Sequence, residues 1–275
     1  MRRWKSIENE AGSRFRHSSF SFNEYIYIFG GENFSEKEKF FFKYNTKTEE
    51  WNSLKMPEIL SNGIQNCTCN VYKNQVYILC GVDNSLSHPN DQVICFNLIT
   101  EEWKNYKLKN HPNSRYLHTT SLYQDSLFLF GGYFFKTFDD LFELNLQKMK
   151  FEKIDYKGDI SRRFNHNSIV FKDSMYIYGG YSLEEDTPDR TIGSKYNNDL
   201  MEYDFKTQYF RKLISNSNVK PIPRWGSTSC LYKNEFIMFG GSDDEYVDLN
   251  DMFIYDFRRF EWKKIEADNI PWMRW

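Results

Sequence analysis

An arginine followed by an aromatic residue recurs along the chain, and this pair has the chemistry of a peptide-binding surface. The pairs are Arg14 with Phe15, Arg115 with Tyr116, Arg163 with Phe164, and Arg224 with Trp225, and Arg274 extends the series. A guanidinium donates charge-assisted hydrogen bonds to carboxylates or phosphates, each contributing about 1.5 to 3 kcal/mol. The same recurrence is also typical of a structural role, in which each arginine pairs with a neighbouring unit or caps backbone carbonyls. Both interpretations stay open at this point.

A second candidate contact is the acidic insertion from Leu183 to Tyr196, which contains Glu184, Glu185 and Asp189. Long loops on rigid scaffolds often carry binding residues, although a solvated acidic loop is equally ordinary. We therefore take the three acids as candidate partner contacts.

Catalytic chemistry has little support in the residue pattern. The sequence contains no HExxH run, no Gly-x-Ser-x-Gly elbow and no glycine-rich phosphate loop before a helix. His17, His118 and His166 recur at one position of a repeat, which favours packing or hydrogen bonding at the start of a strand. We predict no catalytic residue, no metal ligand and no cofactor.

The composition restricts the class of partner and the cellular compartment that we expect for this chain. The formal net charge is −2 and no Lys/Arg cluster compensates for it, so nucleic acid is not an expected partner. We expect neither a membrane-spanning helix nor a signal peptide, because apolar stretches are short and the first residues are polar. Of five cysteines, Cys69, Cys80, Cys95 and Cys230 lie in apolar runs, which predicts reduced core thiols. The sequence favours a cytoplasmic protein that is monomeric as an isolated domain.

The elements that position these residues belong to a repeat. Aromatic or aliphatic runs end at a glycine position at residues 30, 80, 131, 179 and 240, so the spacings are 50, 51, 48 and 61. Cys80 replaces glycine in the second copy. In each copy, an aromatic or leucine residue stands directly before an Asn or Asp. A bulky aromatic residue follows seven positions after the first of these two, as Trp51 follows Tyr44. The Asn or Asp is a turn former, and the aromatic is expected to pack between sheets.

Between these landmarks each unit reads as four short strands, and no segment shows sustained helical periodicity. A four-stranded unit of about 50 residues cannot bury both faces alone, so neighbouring units must stack, and radial stacking gives a propeller.

The R-x-x-H opening, the double glycine and the Tyr-Asp pair leading to a tryptophan resemble the kelch repeat over nearly the whole chain. Asn198 to Leu200 and Asn250 to Met252 look closer to the host-cell-factor, Tea-type and leucine-zipper-like regulator class than to BTB-Kelch adaptors. Some similar propellers are enzymes, and plant specifier proteins carry a Glu-x-x-x-Asp-x-x-x-His iron-binding run. Here Gly193 occupies the histidine position after Glu185 and Asp189, so the third residue of the iron-binding run is missing.

The sequence therefore predicts an all-β kelch β-propeller of five complete four-stranded blades and a partial sixth. Residues 1–275 are expected to form one domain, with units at about 14–54, 63–107, 115–154, 163–214 and 224–265. Segments 1–7 and 271–275 are assigned to a sixth blade of a truncated six-bladed ring. A five-bladed ring with spare ends is the alternative.

The predicted function is a non-catalytic scaffold that binds a protein or peptide partner. Its binding face carries the loops that enter the first strand and those that join the second and third strands. The alternatives are a targeting domain of a larger enzyme, and a small-ligand or metal-dependent enzyme.

Overall fold

The computed structural model describes residues 7, 11–32, 40–83, 89–183 and 194–266. Within these ranges the chain is almost entirely β-structure, and a short 3-10 turn at Glu58–Leu60 is the single helical element. The strands form five four-stranded antiparallel sheets, which we call blades 1 to 5, and two short ribbons. The all-β prediction with five four-stranded blades is confirmed.

The strands follow the repeat along the chain. Blade 1 contains β1 (Phe15–Phe22), β2 (Tyr25–Glu32), β3 (Phe41–Asn45) and β4 (Trp51–Ser53). Blade 2 contains β5 (Thr68–Tyr72), β6 (Gln75–Leu79), β7 (Val93–Asn97) and β8 (Trp103–Tyr106). Blade 3 begins with β9 (Thr119–Tyr123) and β10 (Ser126–Phe130), continues through a ribbon of β11 (Tyr133–Phe134) and β12 (Lys136–Thr137), and ends with β13 (Leu141–Asn145) and β14 (Lys150–Ile154).

The last two blades repeat the same plan. Blade 4 contains β15 (Asn167–Phe171) and β16 (Ser174–Tyr178), a ribbon of β17 (Tyr181–Ser182) and β18 (Lys195–Tyr196), and then β19 (Leu200–Asp204) and β20 (Tyr209–Leu213). Blade 5 contains β21 (Thr228–Tyr232), β22 (Glu235–Phe239), β23 (Met252–Asp256) and β24 (Glu261–Ile265).

Backbone contacts divide the chain into two compact units. The first unit consists of Ile7–Phe128 and Phe142–Glu152, and it contains blades 1 and 2. The second unit contains Leu129–Leu141 together with Lys153 onward, which includes blades 4 and 5.

The predicted Asn/Asp turns connect the third and fourth strands of the blades. Asn45 Oδ1 accepts hydrogen bonds from the backbone N–H groups of Lys47 and Thr48 at 2.9 and 3.2 Å. Asp204 Oδ1 accepts the equivalent bonds from Lys206 and Thr207 at 3.0 and 2.8 Å. A short polar side chain thus satisfies the donors that the chain reversal leaves without strand partners.

The large rings seven positions later pack between blades, as predicted. In the first unit, Trp103 of blade 2 lies 6.0 Å from Phe29 and 5.7 Å from Phe41 of blade 1, centroid to centroid. In the second unit, Trp262 of blade 5 lies 5.1 Å from Tyr178 of blade 4. These rings supply large apolar areas to the core.

In blades 1, 3 and 4 the double glycine joins the blade to the following repeat. Gly180 N donates to the Arg224 carbonyl at 2.8 Å, and Gly31 N donates to the Ile64 carbonyl at the same distance. Gly180 has φ +80°, and a Cβ at this position would lie 2.6 Å from the Phe164 carbonyl oxygen. Cys80, which replaces glycine in blade 2, is fully buried and also has a positive φ of 53°. Blade 2 nevertheless keeps four paired strands.

Candidate partner-binding face

The loops that carry most candidate residues lie at one end of each sheet. In blade 4, Asn167 at the start of β15 pairs with Tyr178 at the end of β16, which pairs with Leu200 at the start of β19. The segment entering the first strand therefore lies beside the loop that joins the second and third strands. Phe164 and Tyr181 form an isolated antiparallel bridge that ties these two segments together. We call this end of each blade the loop face.

Arg163 and Arg224 lie beneath the loop face, and their side chains are 0% and 1% exposed. Arg163 Nη1 donates to the Gly179 carbonyl at 3.1 Å and to Asp199 Oδ1 at 2.9 Å, while Nη2 donates to Asp199 Oδ2 at 3.3 Å. Arg224 repeats the arrangement with the Gly240 carbonyl and Asp251. Each guanidinium is therefore paired with a carboxylate and a carbonyl of its own blade.

The carboxylate of this pair is ionised more readily than usual. Burial opposes ionisation of the Asp199 carboxyl, but the charge and hydrogen bonds of Arg163 outweigh it, so the pKa of Asp199 lies below its ordinary value.

Arg14 and Arg115, in the first unit, have related surroundings. Arg14 is half-buried and donates to the Ala11 carbonyl at 3.0 Å and to the Gly30 carbonyl at 2.9 Å. Arg115 is fully buried and donates to the Asn113 carbonyl at 2.9 Å. The arginine contacts match the structural alternative of the sequence analysis, and a direct partner contact stays a prediction. Arg274 lies outside the described residues.

The aromatic partners of the arginines differ in their surroundings. Tyr116 is partly buried in the first unit. In the second unit, Phe164 contacts Tyr133 and Tyr181 at centroid distances of 5.0 and 4.1 Å. Tyr181 lies 5.6 Å from Trp225. The structure thus brings Phe164 and Trp225 into one chain of ring contacts.

The chain of rings continues to the protein surface. Tyr196 stacks on Tyr181 at 5.4 Å with an interplanar angle of 15°, and Tyr246 meets the edge of Trp225 at 6.2 Å. Burial, followed by a hydrogen bond to Tyr246, raises the pKa of the Tyr196 phenol. We call the six rings the aromatic ladder; they are Tyr133, Phe164, Tyr181, Tyr196, Trp225 and Tyr246.

Sequence reasoning missed four of the six rings. Tyr133 and Tyr181 directly follow the double glycines at 131–132 and 179–180, and that position was a signal in the repeat itself. Tyr196 and Tyr246 belong to loops of different length, so no repeat phase marks them.

The predicted acidic contacts Glu184, Glu185 and Asp189 lie outside the described residues, as do segments 1–6 and 271–275 assigned to a sixth blade. Their roles stay predictions.

Two of the three recurring histidines, His118 and His166, are buried at blade packing positions, whereas His17 on β1 is exposed. His118 is buried, its Nε2 lies 3.1 Å from Thr68 Oγ1, and burial together with Arg115 lowers its pKa to about 3. His166 packs edge-on against Phe130 at 5.5 Å. Among the residues that the structure describes, no group of three or more His, Cys, Asp or Glu side chains is arranged to hold a metal ion.

None of the five cysteines forms a disulfide, but one of them lies elsewhere than predicted. Cys67, Cys80 and Cys95 are buried and Cys69 is half-buried, whereas Cys230 is exposed. The prediction of a core thiol at Cys230 is wrong, because much of β21 around it is exposed.

Over the described ranges, no helix has the length and apolar character required to cross a bilayer.

Five four-stranded blades with a loop face at the strand ends define a β-propeller. The KLHDC2/KLHL20/DRC7 Kelch-repeats domain model matches residues 1–132 and 117–274. The chain therefore belongs to the kelch-repeat propeller family, as the resemblance implied. Propellers of this family typically mediate protein–protein interaction and are generally non-catalytic.

Similar curated proteins include leucine-zipper-like transcriptional regulators. The human protein is 22% identical over 97% of this chain, and a Drosophila melanogaster homolog is 23% identical over 93%. The Rho GTPase-activating protein gacHH of Dictyostelium discoideum is 31% identical over 48% of the chain. The chain spans 33% of the human relative, 27% of the Drosophila relative and 8% of gacHH.

Proposed function

We propose that this chain is a non-catalytic recognition module that binds a protein or peptide partner through its loop face. The observation that supports the proposal best is the aromatic ladder of the second unit. The ladder lies beyond the ends of the four-stranded sheets and reaches an outer ring, Tyr246, that is 62% exposed.

The chemistry of the ladder suits binding. Trp and Tyr dominate the residues whose truncation weakens protein interfaces, because they provide large contact areas with a polar edge and few rotatable bonds. The ladder rings also contact one another, and backbone bridges join Phe164 to Tyr181 and Trp225 to Ser242. A surface held in one conformation before binding loses little entropy when a partner arrives.

The buried arginines fit the same proposal in a supporting role. Arg224 precedes Trp225, and its bonds to Gly240 and Asp251 fix the segment entering β21 to the loop before β23. The arginines thus hold the aromatic surface in position from beneath. The alternative that the propeller targets a larger enzyme stays a prediction.

The test is affinity capture from a cell extract with the full chain, comparing wild type with Trp225→Ala. Loss of a central aromatic contact weakens binding by about 2 kcal/mol or more, roughly thirtyfold, so a partner enriched by wild type should be lost. Tyr232→Ala is the matched control, because Tyr232 is 57% exposed and lies at the opposite end of β21.

A second variant protects the test from a folding artefact. Tyr246→Asn removes the exposed outer ring and leaves a residue that accepts the positive φ of 61° at this position. Loss of the partner in both variants, with unfolding curves like that of wild type, supports the proposal. Retention of every partner by both folded variants contradicts it.

A further inference from the structure

The charges around the ladder differ from those that the arginine pattern suggested. Arg163 and Arg224 are buried and neutralised by Asp199 and Asp251, so they present no exposed positive charge. The exposed charges beside Trp225 and Tyr246 belong instead to acids of the loop between β22 and β23. An anionic partner would meet the wrong sign of charge at this end of the ladder.

Residues 242–251, SDDEYVDLND, contain five acids and no Lys or Arg. Three of the acids have partners within the protein. Asp251 pairs with Arg224, Asp248 accepts from Ser242 Oγ, and Asp243 Oδ1 accepts from the N–H groups of Glu245 and Val247. These bonds fold the loop into a compact turn.

The turn presents the remaining acids next to an exposed ring. Asp244 and Glu245 are exposed, and within the described residues their carboxylates form no hydrogen bond or ion pair. Tyr246 follows them directly. The Trp225 indole N–H donates to the Asp243 carbonyl at 3.2 Å, which fastens the turn to the ladder. We call Trp225 and residues 243–247 the ladder tip.

Two cations belong to neighbouring segments of the same unit. Lys195 is exposed on β18, one residue before Tyr196, and Arg162 precedes Arg163. Lys195 forms no ion pair with Asp244 or Glu245 among the described residues, and Arg162 has an interaction partner of its own. Within the described residues, the ladder tip therefore keeps two exposed carboxylates, those of Asp244 and Glu245, directly before the exposed ring of Tyr246.

We propose that the ladder tip binds an arginine- or lysine-containing segment of a partner protein. A cation lies favourably over the face of Tyr or Trp, and a guanidinium pairs well with carboxylates. Charge complementarity selects a cationic segment and disfavours phosphates, acidic peptides and anionic lipid surfaces. This inference rests on the proposed function and names the chemical class of its partner.

The test is selection of peptides from a random 12-residue phage library on the immobilised full chain, followed by affinity measurement of the enriched peptides. We expect enrichment in Arg and Lys next to apolar residues. The double variant Asp244→Asn/Glu245→Gln should bind these peptides about tenfold more weakly, since both carboxylates lose the charge that pairs with the peptide cations. Affinity for wild type should fall as salt concentration rises.

Glu235→Gln/Glu261→Gln is the matched control. Both residues lie in blade 5 at the strand ends opposite the loop face, where Glu235 pairs with Asp256 and Asp256 with Glu261. The control removes the same two negative charges as the test variant. Its residues are separated from the loop face by roughly four residues along the strands, about 13 Å. This control should bind like wild type.

The outcomes separate the two proposals. If the selected peptides depend on Trp225 but are uncharged or acidic, or bind the Asp244/Glu245 variant as well as wild type, the cationic partner is contradicted and the proposed function stands. If no selected peptide depends on Trp225 or Tyr246, or none is enriched, both proposals fail.

Discussion

At the residue scale, arginine recurs at a fixed position of the repeat because its guanidinium stabilises its own blade in the same way each time. Arg163 and Arg224 each neutralise an aspartate of their own blade and bond a glycine carbonyl, 16 residues away in each case. The recurrence and spacing of these arginines were readable in the sequence. Their burial was not, because it depends on Asp199 and Asp251 reaching them from loops of different length, 36 and 27 residues away.

Removal of Arg163 should therefore be costly. Arg163→Met leaves the Asp199 carboxylate without its cation, and loss of one partner of a buried pair typically lowers the free energy of unfolding by about 3 to 5 kcal/mol. Lys206→Met, which breaks the exposed pair with Asp173, should cost less than about 1 kcal/mol. Urea denaturation measures both. Equal, small losses would show that the guanidinium does not hold the loop face together.

The Arg163–Asp199 pair also sets a pH dependence. The pKa of Asp199 is depressed in the folded protein, so the pair stabilises the fold above the unfolded pKa of about 3.9. That stability is lost as pH falls through the lower folded pKa.

At the element scale, the double glycine connects one repeat to the following repeat. Its presence at four of five units marked the end of each second strand in the sequence, but its bond to the next repeat could not be predicted. Gly180 N reaches the Arg224 carbonyl only because the glycine backbone lies against Phe164 and His166 without a side chain between them.

A pair of glycine substitutions separates steric contact from backbone strain. Both Gly180 and Gly226 have positive φ, but a Cβ at Gly180 would lie 2.6 Å from the Phe164 oxygen, whereas a Cβ at Gly226 would meet no atom within 4 Å. Gly226→Ala should cost about 1 to 2 kcal/mol from conformation alone. Gly180→Ala should cost clearly more, by thermal or urea unfolding. Equal costs would mean that the close approach at Gly180 relaxes freely.

At the scale of the whole molecule, the repeat was sufficient to predict an all-β chain with five four-stranded blades, because three landmarks keep one phase. The binding surface was only partly predictable. Phe164 and Trp225 follow the repeated arginines, whereas Tyr196 and Tyr246 enter the ladder from loops that the repeat does not constrain. A surface formed by loops of unequal length can be identified only from the three-dimensional structure.

The central claim is that a partner contacts the loop face at the aromatic ladder, and site-specific photo-crosslinking in cells tests it most directly. Tyr246 and Tyr232, which are similarly exposed and lie near opposite ends of blade 5, are each replaced by p-benzoylphenylalanine in the full chain. We predict a discrete crosslinked protein band from position 246 and none shared with position 232. A crosslinked partner at 232 with none at 246 would contradict the account.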